Sequence, residues 1–400
     1  MTKIQKDNKN VAKFPNLRFP EFTEEWETKK LGEIGEIVNG LTYSPNDIAE
    51  NGVLVLRSSN VQNRSLAFDD NVYVRTDNYN PVQENDILIC VRNGSKNLIG
   101  KNALINKENE GVAFGAFMSI YRSSFNTFLF HWFDTNEYKE IVYKNLGATI
   151  NSINGSDLRK FKVPFPSIEE QKKLASFLSI VDERIQTQNK IIGQLETLIK
   201  GLSEKLFSQK IRFKGFMREW ELKSLGEIGE IITGKTPSTK DLDLWNGDIQ
   251  FVTPTDITEN KYQHSTERTI KKADNLKILP QKSIMFTCIA SIGKMSLSLN
   301  PCVTNQQINS VIPHSCFDSE FLFYAIKNIS DYIKSTQSSS TLPIINKTEF
   351  SKFKILIPSI DEQTKISIFL SSIDAKIETE KSILDKYHCQ KQYLLQNLFI

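Results

Sequence analysis

The sequence predicts an α+β fold: two tandem pseudo-symmetric globular domains separated by two long antiparallel coiled-coil helices. Three observations predict it. The whole unit repeats once, at an offset of about 190 residues. Each copy closes on a proline-capped segment with helical periodicity. Inside each copy, short β-rich runs alternate with polar loops. The expected boundaries are a flexible N-terminal tail at 1–13, a first domain at 14–165, a first long helix at 166–209, a second domain at 210–357 and a second long helix at 358–400.

The repeat is explicit. Residues 26–40 read WETKKLGEIGEIVNG and residues 220–234 read WELKSLGEIGEIITG, with eleven of fifteen positions identical. Upstream, Arg18, Phe19 and Phe22 match Arg212, Phe213 and Phe216. Further on, PSIEEQ from Pro166 matches PSIDEQ from Pro358. Solenoid periods are ~20–50 residues, so this is a duplicated domain and not an array. Between the anchors the copies differ, as expected of one scaffold carrying two diverged surfaces.

In the first copy, Val53–Leu56, Asp86–Val91 and Ala113–Tyr121 read as strands; in the second, Ile249–Thr253, Ser283–Cys288 and Asn309–Ile312 do. Each long helix opens with a capping box, Ser167 with Glu170 and Ser359 with Glu362. Pro166 and Pro358 stop any helix arriving from upstream. Some forty proline-free residues follow each cap, roughly 60 Å of helix at ~1.5 Å per residue.

The first helix carries a heptad seam of Leu174, Leu178, Val181, Ile185, Gln188, Ile192, Leu195, Ile199, Leu202 and Leu206. The second carries Ile366, Leu370, Ile373, Ile377, Glu380, Leu384, Tyr387, Lys391, Leu394 and Leu398. An antiparallel pair lets the second helix return along the first and sets Gln188 opposite Glu380, a polar layer that fixes register at some cost in stability. Beside the seams lie Phe177, Ile191, Leu198, Phe369 and Ile383. They either pack on partner helices or cover the flanks of the neighbouring domains.

Composition narrows the function classes. The 400 residues are 39 % apolar and 24 % charged, enough for real cores, and the net charge of +3 excludes a histone-like polycation. The 5 cysteines include no C-x-x-C pair, and the 4 histidines are scattered, so neither a zinc site nor a disulfide framework is expected. Free cysteines suit a reducing cytoplasm. The N-terminus has no apolar signal core, and no apolar run reaches the ~18 residues of a membrane span.

The loops concentrate side chains that read base edges or hold phosphates. In the first copy these are Arg57, Ser58, Ser59, Asn60, Arg92, Asn93, Lys96, Asn151 and Ser152. In the second they are Lys235, Thr236, Ser238, Thr239, Lys240, Thr253, Thr255, Lys271, Lys272, Asn305, Gln306, Gln307, Ser338, Ser339, Ser340 and Thr341. The bland reading, that loops are simply polar, competes for each of them.

Residues 229–236, GEIITGKT, match the phosphate-binding pattern G-x-x-x-x-G-K-[ST]. The match is read as accidental. A carboxylate stands where phosphate should sit, the first copy lacks the lysine, and Pro237 follows where a helix should form. Glu259-Asn260-Lys261 lacks a suitably spaced aspartate for a nuclease. Asn80-Pro81 and Asn300-Pro301 lack the rest of an amino-methylase N-P-P-[YF] site. No catalytic residue is expected.

Four pieces in this order, within a duplicated chain, resemble the specificity (S) subunit of a Type I restriction-modification system. They are Arg18–Trp26; Gly234-Lys235-Thr236-Pro237-Ser238 with Trp245–Ile249; Ser291–Lys294 followed by Asn305-Gln306; and the two P-S-I-[ED]-E-Q helix starts. The resemblance covers roughly residues 14–400. It implies that each globular region is a target-recognition domain for one half of a bipartite, asymmetric double-stranded DNA target. It implies a non-catalytic chain that docks two modification subunits and, in the full complex, restriction subunits. S-adenosylmethionine, ATP and magnesium belong on those partners, and none on this chain. The first domain departs from the pattern, with Leu41-Thr42-Tyr43-Ser44-Pro45 where the second has G-K-T-P-S; Thr42, Tyr43 and Ser44 are its candidate contacts. A P-loop ATPase resting on Lys235 and a protein-interaction scaffold are the alternatives, and salt-dependent binding to duplex DNA separates both from a DNA reader.

Overall fold

A computed structural model describes residues 14–146, 151–337 and 343–400. The chain divides into two compact units, residues 1–187 with 384–400, and residues 188–383. Each unit holds one globular domain and one stretch of paired helix.

In the first unit, Glu27–Lys30 pairs antiparallel with Lys162–Phe165, joining the start of the domain to its end. A four-stranded antiparallel sheet runs in the order Glu36–Asn39, Met118–Arg122, Ile87–Cys90, Asn102–Leu104. A second sheet centres on Ile48–Leu56, flanked by Tyr73–Val74 and, in parallel, by Ala113–Phe114. The second unit repeats the plan. Glu221–Ser224 pairs with Lys354–Ile357. Gly229–Thr233, Ile308–Pro313, Ile284–Thr287 and Met295–Ser298 form the matching sheet, extended by Tyr262–Gln263. Trp245–Val252 lies between Arg268–Ile270 and the parallel Cys302–Thr304.

The long helices span Ile168–Phe207 and Ile360–Leu398. Within the first unit, Leu174, Leu178, Val181 and Ile185 share a core with Leu394, Leu395 and Leu398. Within the second, Gln188 Nε2 donates to the Glu380 carbonyl at 3.1 Å and to its carboxylate, while Leu206 shares a core with Ile366 and Leu370. Early positions of one helix meet late positions of the other in both units, so the pairing is antiparallel. Ile192 and Ile377 are buried, and Leu384 is partly buried against the first unit's core. Lys391 interrupts the apolar seam and is buried because its Nζ lies 2.7 Å from Asp134 and 2.6 Å from Asp182. Beside it His131 is buried, and burial with the nearby Arg64 and Lys391 charges pushes its pKa down to about 3, so it is neutral.

The expected capping boxes form only in part. Glu170 N donates to Ser167 Oγ at 3.3 Å. The Glu170 carboxylate does not return to the cap. It is buried and takes Arg18 Nε at 2.8 Å, Arg18 Nη2 at 2.7 Å and Trp26 Nε1 at 3.1 Å. Glu362 does the same for Arg212, at 2.7 and 2.8 Å. The conspicuous arginine before each domain therefore ties the lead-in segment to the start of the long helix that follows that domain.

Two partner-docking candidates are engaged within their own unit. The Phe177 ring meets Phe19 edge-on at 5.8 Å, and Phe369 meets Phe213 at 5.6 Å. Ile191 and Ile383 are half-buried, while Leu198 is 48 % exposed. Exposed apolar side chains that the heptad reading missed are Ile168, Ile180, Ile360, Ile368 and Tyr393. No described helix is long and apolar enough to cross a membrane.

Candidate nucleic-acid interface

In each domain, loops from separate parts of the chain are drawn together at one edge by backbone hydrogen bonds. In the first, Leu41 N donates to the Phe114 carbonyl at 2.7 Å, and Ala116 N to the Leu41 carbonyl at 2.9 Å. The approach needs glycine: a Cβ on Gly40 would sit 2.2 Å from the Gly115 carbonyl oxygen. Gly115 N donates to Leu56 at 2.9 Å, which brings in Arg57–Asn60. Asn93 Nδ2 donates to Ser58 Oγ at 3.1 Å, and Asn93 N to the Asn151 carbonyl at 3.3 Å. Ile153 N donates to Val91 at 2.9 Å and Asn151 Nδ2 to Gly94 at 2.8 Å, adding Asn151 and Ser152 to the same cradle.

The second domain builds this cradle with equivalent bonds. Lys235 N donates to Thr304 at 2.9 Å, and a Cβ on Gly234 would lie 2.2 Å from the Asn305 carbonyl. Asn305 N donates to Val252 at 3.0 Å, Ala290 N to Pro343 at 3.2 Å and Ile345 N to Cys288 at 2.9 Å. Thr253 N bonds Asp256 Oδ2 at 2.8 Å just as Arg57 N bonds Asn60 Oδ1 at 2.9 Å. The frame is shared and the side chains on it differ.

Most candidate residues fall on these cradles. Arg92 is exposed, and its guanidinium carbon lies 5.7 Å from the Phe117 ring centroid. Arg57 is paired with Asp70 at 2.8 Å. The Ser59 hydroxyl is buried and unbonded among the described residues. Thr42 and Lys96 are exposed, Ser44 caps the short turn Pro45–Asp47, and Tyr43 packs beside Val55, Val74 and Ala113. In the second domain, Thr236 Oγ1 donates to Gln306 Oε1 at 2.6 Å. Thr253 Oγ1 donates to Asp256 at 2.6 Å and lies 2.8 Å from Thr255 Oγ1.

Two candidates are corrected to internal roles. Asn60 is fully buried, donating to the Ala67 carbonyl at 2.9 Å and to Asn71 at 3.2 Å, so it shapes its loop and presents nothing outward. Asn305 is buried too, and its amide donates to Gln307 Oε1 at 3.0 Å, orienting that side chain. Lys271 and Lys272 lie elsewhere. Ile270 pairs with Trp245 and Arg268 with Phe251, so both lysines follow at the Trp245 end of the strand, away from Thr253. Ser238, Thr239 and Lys240 keep to that end as well, since Trp245 Nε1 donates to the Ser238 carbonyl at 3.1 Å. Ser338, Ser339, Ser340 and Thr341 lie outside the described residues.

Two side chains escaped the sequence reading. Arg268 stacks over Trp245 at 3.5 Å, and Phe117, 57 % exposed, tops the first cradle. Phe117 was hidden because Ala113–Tyr121 reads as one strand. The chain leaves the sheet at Gly115–Phe117, the place that Asn305–Gln307 takes in the second copy.

The phosphate-loop match also finds its explanation. Gly229–Thr233 is a β-strand paired along Asn309–Pro313, and a Cβ on Gly229 would lie 2.4 Å from the Ile312 carbonyl. A P-loop would wrap at this point and lead into a helix. Both glycines serve close backbone approach instead. Cys90, Cys288 and Cys302 are buried, and burial raises their thiols to about 11, 11 and 12, far from a reactive thiolate.

The family model described as the Type I restriction modification DNA specificity domain matches twice, over residues 23–197 and 217–386. The Type I restriction enzyme MjaIX specificity subunit of Methanocaldococcus jannaschii is 35 % identical over 195 residues, 46 % of this chain and 44 % of that protein. The HindI specificity subunit of Haemophilus influenzae is 33 % identical over 176 residues, 41 % of this chain and 38 % of that protein. The chain thus spans less than half the length of either relative. The crystal structure of a Type-I restriction-modification system S subunit from M. genitalium shares the fold, with TM-score 0.63 at 18 % identity over 97 % of this chain and 99 % of that one.

Proposed function

This chain belongs to the family of Type I restriction modification DNA specificity domains, and on that footing we propose that it is the DNA-recognition subunit of a Type I restriction-modification complex. Each cradle reads one half of a bipartite, asymmetric duplex target. The paired helices set the spacer between the halves and dock two modification subunits, which bring S-adenosylmethionine and adenine N6 methylation. Restriction subunits supply ATP- and magnesium-dependent translocation and cleavage in the full complex. The chain contributes recognition and no catalytic group, and it works in the cytoplasm.

The observation that carries this reading is the pair of cradles, built by equivalent backbone bonds and fitted with different side chains. A duplicated frame with diverged loops suits two unlike half-sites better than a scaffold for one protein partner. Phosphate contacts would position each cradle and base contacts would specify.

Duplex binding by the assembled methyltransferase, measured across salt concentrations, tests the reading. It predicts a linear fall of log affinity with log salt and a preference for one bipartite sequence over competitor DNA. Lys235→Ala leaves the ATPase of the full complex intact at saturating DNA. Affinity independent of both salt and sequence would refute DNA reading, and abolished ATPase would restore the P-loop.

A further inference from the structure

We propose that Arg92 and Phe117 form a guanine-reading element in the first domain, with the Phe117 ring set against the methyl group of a neighbouring thymine. The inference rests on the DNA-reading role proposed above and goes beyond it by naming the base chemistry and the residues.

The two side chains spring from a fixed base. Val91 N and Arg92 N both donate to the Phe117 carbonyl, at 3.0 and 3.1 Å. Arg92 is further held by a bridge to Ser152. The guanidinium then stacks loosely on the ring, 5.7 Å from its centroid, with both groups open to solvent. An aromatic face limits the orientations of a planar guanidinium and so preorganises its paired N–H groups.

Pairing separates Arg92 from the other arginines near this cradle. Arg57 on the same cradle is paired with Asp70 at 2.8 Å, and Arg122 below it with Asp86 at 2.7 Å. Among the described residues, Arg92 has no carboxylate partner. Its donors are available without breaking an ion pair. In the major groove only guanine offers two adjacent acceptors, O6 and N7, matching two parallel N–H groups. A bare phosphate contact needs the charge but gains nothing from a 57 % exposed phenylalanine beside it. That ring suits the thymine methyl, the apolar feature of the major-groove edge.

The equivalent place in the second domain carries no such pair among the described residues. At the equivalent place the second domain has Ile289, bridged to Ile344, and Gln307, whose carbonyl accepts from Cys288 N at 2.8 Å. Neither can offer a guanidinium, so the two half-sites differ at this point.

The test uses the complete chain in its methyltransferase complex. Methylation motifs are sequenced for wild type, Arg92→Ala, Arg92→Lys and Phe117→Ala. Duplex affinity is measured with 7-deazaguanine placed singly at each guanine of the half-site read by the first domain. Arg92→Ala should relax one G·C position there, losing about 5- to 150-fold discrimination, and Phe117→Ala should relax the adjacent T·A. Removing N7 from that guanine should weaken wild type by a similar factor and Arg92→Ala no further. The affinity comparison still decides the matter if Arg92→Ala methylates nothing, because duplex binding by the variant is read without turnover. A half-site without guanine, or no N7 effect at any guanine, overturns the proposal. So does an Arg92→Ala variant that keeps every motif position while its salt slope falls by about one, the mark of a phosphate contact. A wild-type complex with no defined motif would instead defeat the broader reading.

Discussion

Replacing Arg18 by methionine tests how each domain is joined to the helix that follows it. Glu170 is almost wholly enclosed, with 2 % of its side chain exposed against 13 % for Arg18. Two charge-assisted hydrogen bonds, at 2.8 and 2.7 Å, hold the carboxylate, and Trp26 Nε1 adds a third at 3.1 Å. Arg18→Met removes the first two and leaves a carboxylate with one neutral donor. Breaking a buried pair from one side costs ~3–5 kcal/mol. The partial exposure of Arg18 favours the low end, about 3 kcal/mol, or a midpoint lowered by roughly 6–12 °C for a unit of this size. Hydrogen exchange read separately over residues 14–187 and 188–383 is the assay. Protection should fall in the first unit and hold in the second, with Arg212→Met doing the reverse through Glu362. The double variant Arg18→Met/Glu170→Leu should recover to within about 1 kcal/mol of wild type, because no charge is then buried alone. Arg18→Met with unchanged protection would refute the assignment of the pair as the join.

Two further outcomes follow from the helices and their polar contacts. Inserting four residues beside Gln188 and four beside Glu380 lengthens the pair by ~6 Å; at ~3.4 Å per base pair, the unread gap in the methylated motif should grow by one or two pairs with both half-sites intact. An unchanged gap with full activity would remove the helices as the ruler. Burial alone would raise the Glu320 carboxyl, but hydrogen bonds from Lys261 at 2.7 Å, Tyr262 at 2.7 Å and Ser371 at 2.8 Å hold it down at about 2. Its folded pKa lies below the ordinary value of 4.5, so the stability it contributes, about 2 kcal/mol, is present above pH 4.5 and drains away as pH falls toward 2. Acid titration of the second unit should show this loss, and Glu320→Gln should flatten it; an equally steep variant would contradict the contact.

Periodicity made the long helices legible, because the seam repeats every heptad and the proline-serine caps punctuate it. Lys391 broke that pattern for a reason no local window contains: its partners Asp134 and Asp182 come from distant segments. The capping boxes misled in the same way, since Arg18 and Arg212 compete for the glutamates once tertiary structure forms. Phe177 and Phe369 look unpartnered along their helix, but Phe19 and Phe213 meet them. The cradles were half legible. Polar loops flagged Arg57, Arg92, Thr253 and Gln306, but burial separates Asn60 and Asn305 from them, and burial depends on which loops converge. Phe117 was invisible because an apolar run conceals a turn at Gly115–Phe117, where the Gly40 backbone closes on the Gly115 carbonyl.

If one frame carries two independent readers, each half of the motif changes without the other. Exchanging residues 41–150 for those of another family member, and sequencing the methylated motif of the assembled complex, tests it most directly. A new sequence should appear in one half of the motif, with the other half and the spacing retained. A change in both halves, or in neither while the exchanged segment folds, would contradict it.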